Sequence, residues 1–316
     1  MRVAVTGAGG RLGRALLGAL ADAPFTGLVG PLAWGRPDYD LDDPGAAERL
    51  VARDRPEVVV HAAAWTDVDG CARDPDLALA RNGAATGRLA RACAQAGVDL
   101  IAVSTNEVFD GRRTDGRGYR PDDPTSPANP YGASKLAGEM AAREAYAALP
   151  GGGSGLGGPA LAIARTAWLY GPPGADFPAK IIAAAGRAIA AREQLKLVAD
   201  EIGSPTAAAD LAEAIVELIG SGAIAGTHHL VNRGAVSRAT WAREVLRLVG
   251  IAVPTLDVPA ATWPRASNAP PWGVLDPGPT RAGEPMRPWQ EALAHQVPWL
   301  RSLAQVHAPG LAGGRR

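Results

Sequence analysis

A glycine-rich turn near the start of the chain constrains the fold more than any other feature. A strand-like apolar run leads into Gly7-Ala8-Gly9-Gly10-Arg11-Leu12-Gly13, and a helical pattern follows over residues 11–22. In a strand–turn–helix unit the first glycine permits a tight turn, the second admits a pyrophosphate and the third lets helix and strand pack closely. The spacing of Gly7, Gly10 and Gly13 therefore predicts a dinucleotide site, with the pyrophosphate at the helix N-terminus.

Short apolar runs alternate with helical patterns over the first 170 residues. Continuous apolar strands separated by helices are typical of a parallel sheet that is covered on both faces. This alternation predicts the α/β class, with a Rossmann-type doubly wound parallel sheet. We predict strands at 2–6, 29–34, 57–61, 99–104 and 161–166, and helices at 11–22, 46–53, 76–96 and 130–149.

The pattern changes after residue 170, where helical segments dominate and the end of the chain becomes rich in proline and tryptophan. We predict an NAD(P)-binding Rossmann domain over 1–170, completed by a strand near 228–232. A smaller C-terminal substrate lobe is predicted from 171–227 and 233–300. The remaining residues, 301–316, are predicted to form a tail that is disordered over 310–316.

Composition excludes several classes of function. Lys plus Arg and Asp plus Glu number 32 each, so the chain lacks the basic excess of a nucleic-acid or membrane binder. Cys71 and Cys93 form no redox or zinc pattern, and the His228-His229 pair cannot place both rings on one metal if it lies in a strand. No signal peptide or membrane helix is evident. We expect a cytoplasmic protein without a metal, nucleic-acid or membrane partner; a homodimer is left open.

A YxxxK motif predicts the chemistry. Tyr131 and Lys135 are four residues apart and would share one face of a helix. The Lys135 ammonium would then lie beside the phenol and lower its pKa from about 10, so that Tyr131 could donate a proton to a carbonyl oxygen. Thr105, at the end of the fourth predicted strand, would hydrogen-bond the same carbonyl. We therefore predict carbonyl reduction with Tyr131, Lys135 and Thr105 as the catalytic residues.

The residues that follow the second predicted strand bear on cofactor choice. A simple NAD site has an acidic residue about 20 residues beyond the glycines. This chain has Trp34-Gly35-Arg36 there, and an arginine suits a 2′-phosphate. NADP(H) is therefore slightly favoured, and NAD(H) stays open. Asp40 and Leu41 would flank the adenine and its ribose.

Further segments carry a resemblance along most of the chain. On these segments the chain resembles the extended short-chain dehydrogenase/reductases and is similar to the dTDP-4-dehydrorhamnose reductase family. The resemblance implies NAD(P)H-dependent reduction of the C4 ketone of a nucleotide-linked 4-keto-6-deoxysugar. The segments are 7–13, 36–44, 61–69, 104–111, 131–135, 165–171 and 200–206.

The resemblance also implies roles for individual residues. Tyr131 would be the proton donor, Thr105 its hydroxyl partner, and Lys135 a ligand of the nicotinamide ribose. Val68, Thr105, Asn106 and Trp168 would contact the nucleotide-sugar substrate. The implied cofactor contacts are Gly10, Arg11 and Leu12 at the pyrophosphate, Asp40 and Leu41 near adenine, and Ala63, Ala64 and Trp65 along the cofactor.

Four positions depart from the pattern of that family. Thr105-Asn106-Glu107 replaces its usual Thr-Asp-Tyr, and Glu201 replaces a glutamine. His61 stands where family members often carry asparagine. Ala269-Pro270 replaces an Arg-Pro pair, which removes a candidate phosphate-binding arginine.

Two other functions stay open. Sugar-nucleotide 4,6-dehydratases of this superfamily carry Thr-Asp-Glu where this chain has Thr-Asn-Glu; the neutral Asn106 amide cannot cycle a proton, which disfavours elimination. Such a dehydratase, or an epimerase, would recycle its cofactor. The other alternative is a non-catalytic NAD(P)-binding protein, like the regulatory subunit of methionine adenosyltransferase. The intact set of Thr105, Tyr131 and Lys135 argues against it.

Overall fold

A parallel sheet of six strands forms the centre of the protein in a computed structural model that describes residues 1–149, 151–173, 176–278 and 284–307. Its order is β10-β5-β4-β3-β1-β2, and every neighbouring pair is parallel. The strands are β1 (Val3–Thr6), β2 (Leu32–Trp34), β3 (Val58–His61), β4 (Asp99–Thr105), β5 (Leu161–Thr166), β6 (Leu169–Tyr170), β7 (Leu195–Val198), β8 (Ile202–Gly203), β9 (Thr206–Ala207), β10 (Gly226–His229), β11 (Val236–Ser237), β12 (Thr255–Val258) and β13 (Trp272–Gly273).

Helices connect most of these strands. Over the residues with described positions, none of the helices has the length and apolar character needed to cross a membrane. The helices are α1 (Arg11–Ala21), α2 (Ala46–Asp54), α3 (Val68–Arg73), α4 (Pro75–Ala78), α5 (Ala85–Gln95), α6 (Pro130–Ala147), α7 (Phe177–Ala191), α8 (Ala208–Ser221), α9 (Arg238–Val249), α10 (Trp289–His295) and α11 (Val297–His307).

Both faces of the central sheet are covered by helices. On one face α1 and α8 pack together, with Leu16 and Ile215 fully buried in the shared core. On the other face α2, α5 and α6 cover the sheet through buried side chains such as Leu50, Leu89 and Tyr146. The predicted doubly wound parallel sheet is therefore confirmed.

The later elements surround a hydrophobic core of their own. Helices α7, α9, α10 and α11 contribute the buried Ile182, Val245, Leu293 and Leu300 to it. Helix α11 extends into the segment predicted as a tail, because Leu300 and Ala304 are fully buried in this core and hold the helix in place. Residues 308–316, including the stretch predicted to be disordered, lie outside the described residues.

Three predicted elements differ in detail from the structure. Strand β2 begins at Leu32 instead of residue 29, because Gly27 and Gly30 adopt positive φ and the preceding Pro24–Val29 forms 3-10 turns. The helix predicted over 76–96 contains a π-helical turn, Leu79–Ala84, between α4 and α5. The strand predicted near 228–232 is present as β10, slightly earlier in the chain.

Candidate active site

The carboxyl ends of the parallel strands open into a cleft of about 410 Å³. Ligands of doubly wound sheets bind at this edge. Most of the residues predicted for the site line the cleft: Gly7, Gly10, Arg11, Leu12, Gly13, Ala64, Val68, Thr105, Asn106, Tyr131, Lys135 and Trp168. The remaining predicted residues, Arg36, Asp40, Leu41, Ala63 and Trp65, do not line it.

The glycine-rich turn forms a cradle that larger residues would fill. Gly7 adopts φ +67°, and a Cβ on Gly13 would lie 2.1 Å from the Gly7 carbonyl oxygen. Helix α1 begins after Gly10 without a side-chain cap and without an acidic residue in its first turn. Its first amides and its partial positive charge are therefore suited to an anion, which fits the pyrophosphate of a dinucleotide.

Arg11 ties this turn to the start of α7. Its Nε donates a hydrogen bond to the Gly171 carbonyl at 2.7 Å and lies 3.6 Å from Asp176 Oδ2. Asp176 is buried and caps α7 by accepting from the Ala179 amide. Burial raises the pKa of the Asp176 carboxyl, while the backbone amides that it accepts from oppose the change. The turn is thus coupled to the elements beyond β6.

The residues predicted for the adenosine lie beyond β2. Arg36 is exposed and makes no hydrogen bond or ion pair with any residue the structure describes. Asp40 Oδ1 accepts from the Asp42 amide at 3.0 Å. Arg88 donates to the Leu41 carbonyl at 2.9 Å. This leaves Arg36 free to meet a ligand, and its role in cofactor choice stays a prediction.

His61, at the end of β3, organises the segment that follows it. Its Nδ1 lies 2.8 Å from Thr6 Oγ1 and its Nε2 lies 3.0 Å from Thr86 Oγ1. Because Thr86 donates its own proton to the Asn82 carbonyl, Nε2 carries the imidazole proton, and Thr6 donates to Nδ1. Burial lowers the pKa of His61 to about 3, and the nearby Lys135 adds to the effect. A neutral histidine thus fills the position where the family often has asparagine.

Asn82 holds the Trp65 backbone and was missed by sequence reasoning. Its Oδ1 accepts from the Trp65 amide at 2.8 Å, and its Nδ2 donates to the Trp65 carbonyl at 3.0 Å. The same Nδ2 lies 3.1 Å from Ser134 Oγ, between the two residues of the YxxxK motif. The available signal was an amide on the inner face of a helical pattern. Asn82 connects the predicted cofactor loop to the catalytic helix.

The start of α6 places the predicted proton donor. Asn129 caps the helix by accepting from the Gly132 amide at 2.8 Å. Position 132 must be glycine, because a Cβ there would lie 2.0 Å from the Glu107 carbonyl oxygen. This close approach packs the first turn of α6 against the end of β4. Tyr131 therefore faces Thr105 across the cleft, and Thr105 hydrogen-bonds the phenol.

The Lys135 ammonium lies deeper than the spacing predicted. Its Nζ donates to the Val103 carbonyl of β4 at 2.8 Å. Burial lowers the pKa of Lys135 to about 8, although Glu139 opposes the change. The prediction that Lys135 lowers the pKa of Tyr131 is wrong for this arrangement. Burial raises the pKa of Tyr131, Glu107 raises it further, and the Thr105 hydrogen bond only partly opposes them. The phenol therefore stays protonated at neutral pH, as a proton donor must.

The opposite wall of the cleft is built around Trp168. Its backbone adopts φ +44°, a conformation that is uncommon outside glycine and often marks a functional site. Gly203 packs so closely that a Cβ would lie 2.4 Å from the indole. Asn106, which is also predicted to contact substrate, is buried, and its Nδ2 has no hydrogen-bond partner among the described residues.

Glu107 borders the phenol. It lines the cleft, and its Oε2 accepts from Asn129 Nδ2 at 2.6 Å. Burial raises the pKa of Glu107, and the nearby Glu201 raises it further, while the hydrogen bond from Asn129 opposes the change.

No group of three or more metal-binding side chains occurs among the residues with described positions.

Comparisons with known proteins match most of the chain to one family of enzymes. The family model described as the RmlD substrate binding domain matches residues 1–301. The chain is similar to a dTDP-4-dehydrorhamnose reductase from Streptomyces griseus, with 40% identity over 97% of this chain and 96% of the relative. The dTDP-4-dehydrorhamnose reductase from Mycobacterium tuberculosis is 38% identical over 93% of this chain and 91% of the relative. A crystal structure of dTDP-4-dehydrorhamnose reductase from Bacillus anthracis in complex with NADP matches with a TM-score of 0.81 and 31% identity, over 93% of this chain and 97% of that one.

Proposed function

The chain belongs to the RmlD substrate-binding domain family, and from this premise we propose that it is an NAD(P)H-dependent dTDP-4-dehydrorhamnose reductase. Family membership confirms the resemblance inferred from the sequence motifs. The reaction converts the C4 ketone of a nucleotide-linked 4-keto-6-deoxysugar to an alcohol. The relatives are named as reductases of dTDP-4-dehydrorhamnose, which is a sugar of this kind, and the relative from Bacillus anthracis was crystallised with NADP.

One observation carries the proposal. The glycine cradle and the three predicted catalytic side chains, Thr105, Tyr131 and Lys135, line a single cleft although they come from distant parts of the chain. Carbonyl reduction needs a site for the dinucleotide and a proton donor beside it. Both requirements meet at the carboxyl edge of the central sheet.

The chain's own residues supply the proton side of the reaction. Gly7, Gly10 and Gly13 would hold the pyrophosphate, and Lys135 the nicotinamide ribose. When bound, the nicotinamide supplies hydride to the C4 carbon. Tyr131, which like any phenol is protonated at neutral pH, donates its phenolic proton to the C4 oxygen. Thr105 hydrogen-bonds the phenol and so favours its anion as the proton leaves.

Elimination is disfavoured by the groups at the end of β4. A dehydratase needs an acid and a base beside the sugar ring, and Asn106 is a neutral amide. Glu107 alone could take up a proton, so the pair is incomplete. Net reduction therefore remains the better reading of this cleft.

A direct assay tests the proposed function. The purified protein is mixed with dTDP-4-keto-6-deoxysugar and NADPH, and the loss of absorbance at the nicotinamide band is compared with product formed. We expect one NADPH oxidised per sugar reduced, and one deuterium at C4 when the cofactor carries deuterium at its transferable position. A dehydratase or an epimerase would oxidise no NADPH, and a dehydratase would also leave this sugar unchanged, because its C6 hydroxyl has already been removed. A regulatory protein would bind NADPH and give no product, and either result would overturn the proposal.

A further inference from the structure

Two arginines share one buried carboxylate at the Trp168 side of the cleft. Glu201 Oε2 lies 3.4 Å from Arg238 Nε, and Glu201 Oε1 lies 3.2 Å from Arg265 Nη1. Glu107 also interacts electrostatically with Arg238, so the cluster contains two arginines and two carboxyl groups. Burial disfavours the charge on Arg238, and a further anion beside its guanidinium would stabilise that charge.

Arg238 is held rigidly within this cluster. Its guanidinium carbon lies 3.6 Å above the Trp168 ring and 5.1 Å from the Phe177 ring. Its backbone amide donates to the Glu201 carbonyl at 3.0 Å. Arginine stacks readily on aromatic rings because its guanidinium is planar and weakly hydrated. The stacking and the ion pair fix the orientation of the group before any ligand arrives.

The ends of the guanidinium have no protein partner in the part of the chain that the structure describes. Only Nε of Arg238 is engaged, by Glu201, whereas a guanidinium carries five N–H donors. The same side chain lines the cleft that contains Tyr131 and Lys135. The two terminal nitrogens are thus available, in a fixed plane, to a group that enters the cleft. Planar paired donors of this kind match phosphate oxygens.

The position of Arg238 in its helix points the same way. It is the first residue of α9, and the first turn of this 12-residue helix contains no acidic side chain. A cation at a helix N-terminus is repelled by the helix dipole, while an anion there is stabilised. An incoming anion would therefore gain from the dipole as well as from the guanidinium.

We propose that Arg238, oriented by Glu201, binds the diphosphate of the nucleotide-sugar substrate. The proposal rests on the proposed function, because that function supplies the diphosphate. It also compensates for the missing candidate arginine at Ala269, because Arg238 lines the cleft and Arg265, four residues before Ala269, pairs with the same Glu201. The cofactor's pyrophosphate has a separate cradle at Gly7, Gly10 and Gly13.

Calorimetry tests the assignment. It measures how tightly wild type and Arg238→Met bind thymidine diphosphate, thymidine and NADPH. Loss of hydrogen bonds to a charged group should raise the Kd for thymidine diphosphate roughly 10- to 150-fold. The Kd values for thymidine and NADPH should stay near those of wild type, which also shows that the variant is folded. Arg238→Lys keeps the charge but loses the planar fork, so we expect a smaller loss.

Arg243→Met is the matched control, because it removes the same charge from the exposed side of α9, where Arg243 pairs with Asp257. It should bind thymidine diphosphate like wild type. Equal affinity of wild type and Arg238→Met for thymidine diphosphate would overturn the assignment, and so would a loss confined to NADPH, which would give Arg238 to the cofactor. Wild-type turnover of the dTDP-sugar separates the two claims. If turnover is present and Arg238→Met keeps its affinity, only the role of Arg238 fails; if turnover is absent, the proposed function fails and the assignment with it.

Discussion

Replacing Lys135 with methionine should stabilise the protein while it damages turnover. The side chain is 6% exposed, and burial lowers its pKa from 10.5 to about 8. At 1.36 kcal/mol per pKa unit, keeping this ammonium charged in the folded state costs about 3 kcal/mol at pH 7. The unfolded chain holds the proton up to pH 10.5 and the folded chain only up to about pH 8. Stability of the wild type therefore rises between these values, and Lys135→Met, which carries no charge, lacks this rise.

The pH dependence makes this expectation sharp. Relative to wild type, the stability advantage of Lys135→Met should shrink by about 2 kcal/mol between pH 7 and pH 9.5. Urea unfolding followed by tryptophan fluorescence at both pH values measures it. Lys196→Met, which removes an exposed lysine of β7, should show no such change. An advantage that is equal at both pH values would refute the inference that Lys135 is buried as a charged group at pH 7. Turnover should fall because the ribose contact is lost.

Four other variants test the site. Tyr131→Phe should lower kcat roughly 10²- to 10⁴-fold with little change in the Kd for NADPH, and near-native turnover would rule out Tyr131 as the proton donor. Gly13→Ala should abolish NADPH binding in a fluorescence titration, because its Cβ would lie 2.1 Å from a backbone oxygen; Gly18→Ala, with no atom within 4 Å, should bind normally. Arg36→Ala should weaken NADPH by about 1.5–3 kcal/mol and NADH hardly at all, so equal losses would remove Arg36 as the discriminator. Between pH 7 and pH 5 the free energy of unfolding should fall by about 2 kcal/mol more in wild type than in His61→Asn, because the unfolded imidazole takes up protons near pH 6.5 and the folded one only near pH 3. Identical pH profiles of the two proteins in urea unfolding would contradict this.

The central sheet could be predicted because its strands are continuously apolar and alternate with helices. That pattern follows from burial on both faces, so it is visible in the sequence alone. The start of β2 was not visible, since it depends on the positive φ of Gly27 and Gly30. The π turn within the helix predicted over 76–96 was also missed. It depends on packing against α6, where Gly83 lies close to Ala137.

In the site, short-range spacing was informative and long-range pairing was not. The YxxxK motif correctly placed Tyr131 and Lys135 on one helix, but the four-residue spacing did not reveal that the ammonium binds the Val103 carbonyl. The contact between Glu201 and Arg238 joins the residue before β8 to the first residue of α9, and tertiary packing brings these two segments together. Such pairs have no local signature, so only the structure shows them.

The last strand of the central sheet is made late in synthesis. Strand β10 pairs along β5 from Gly226 to His229, after the ribosome has already produced β5 and most of the elements around α7 and α8. Until residue 229 has left the ribosome, the outer backbone of β5 is an open sheet edge, which is a ready template for pairing with another chain. A gene truncated anywhere between codons 170 and 225 should therefore direct the synthesis of protein that aggregates, even though every residue of the glycine cradle and of the YxxxK motif is present.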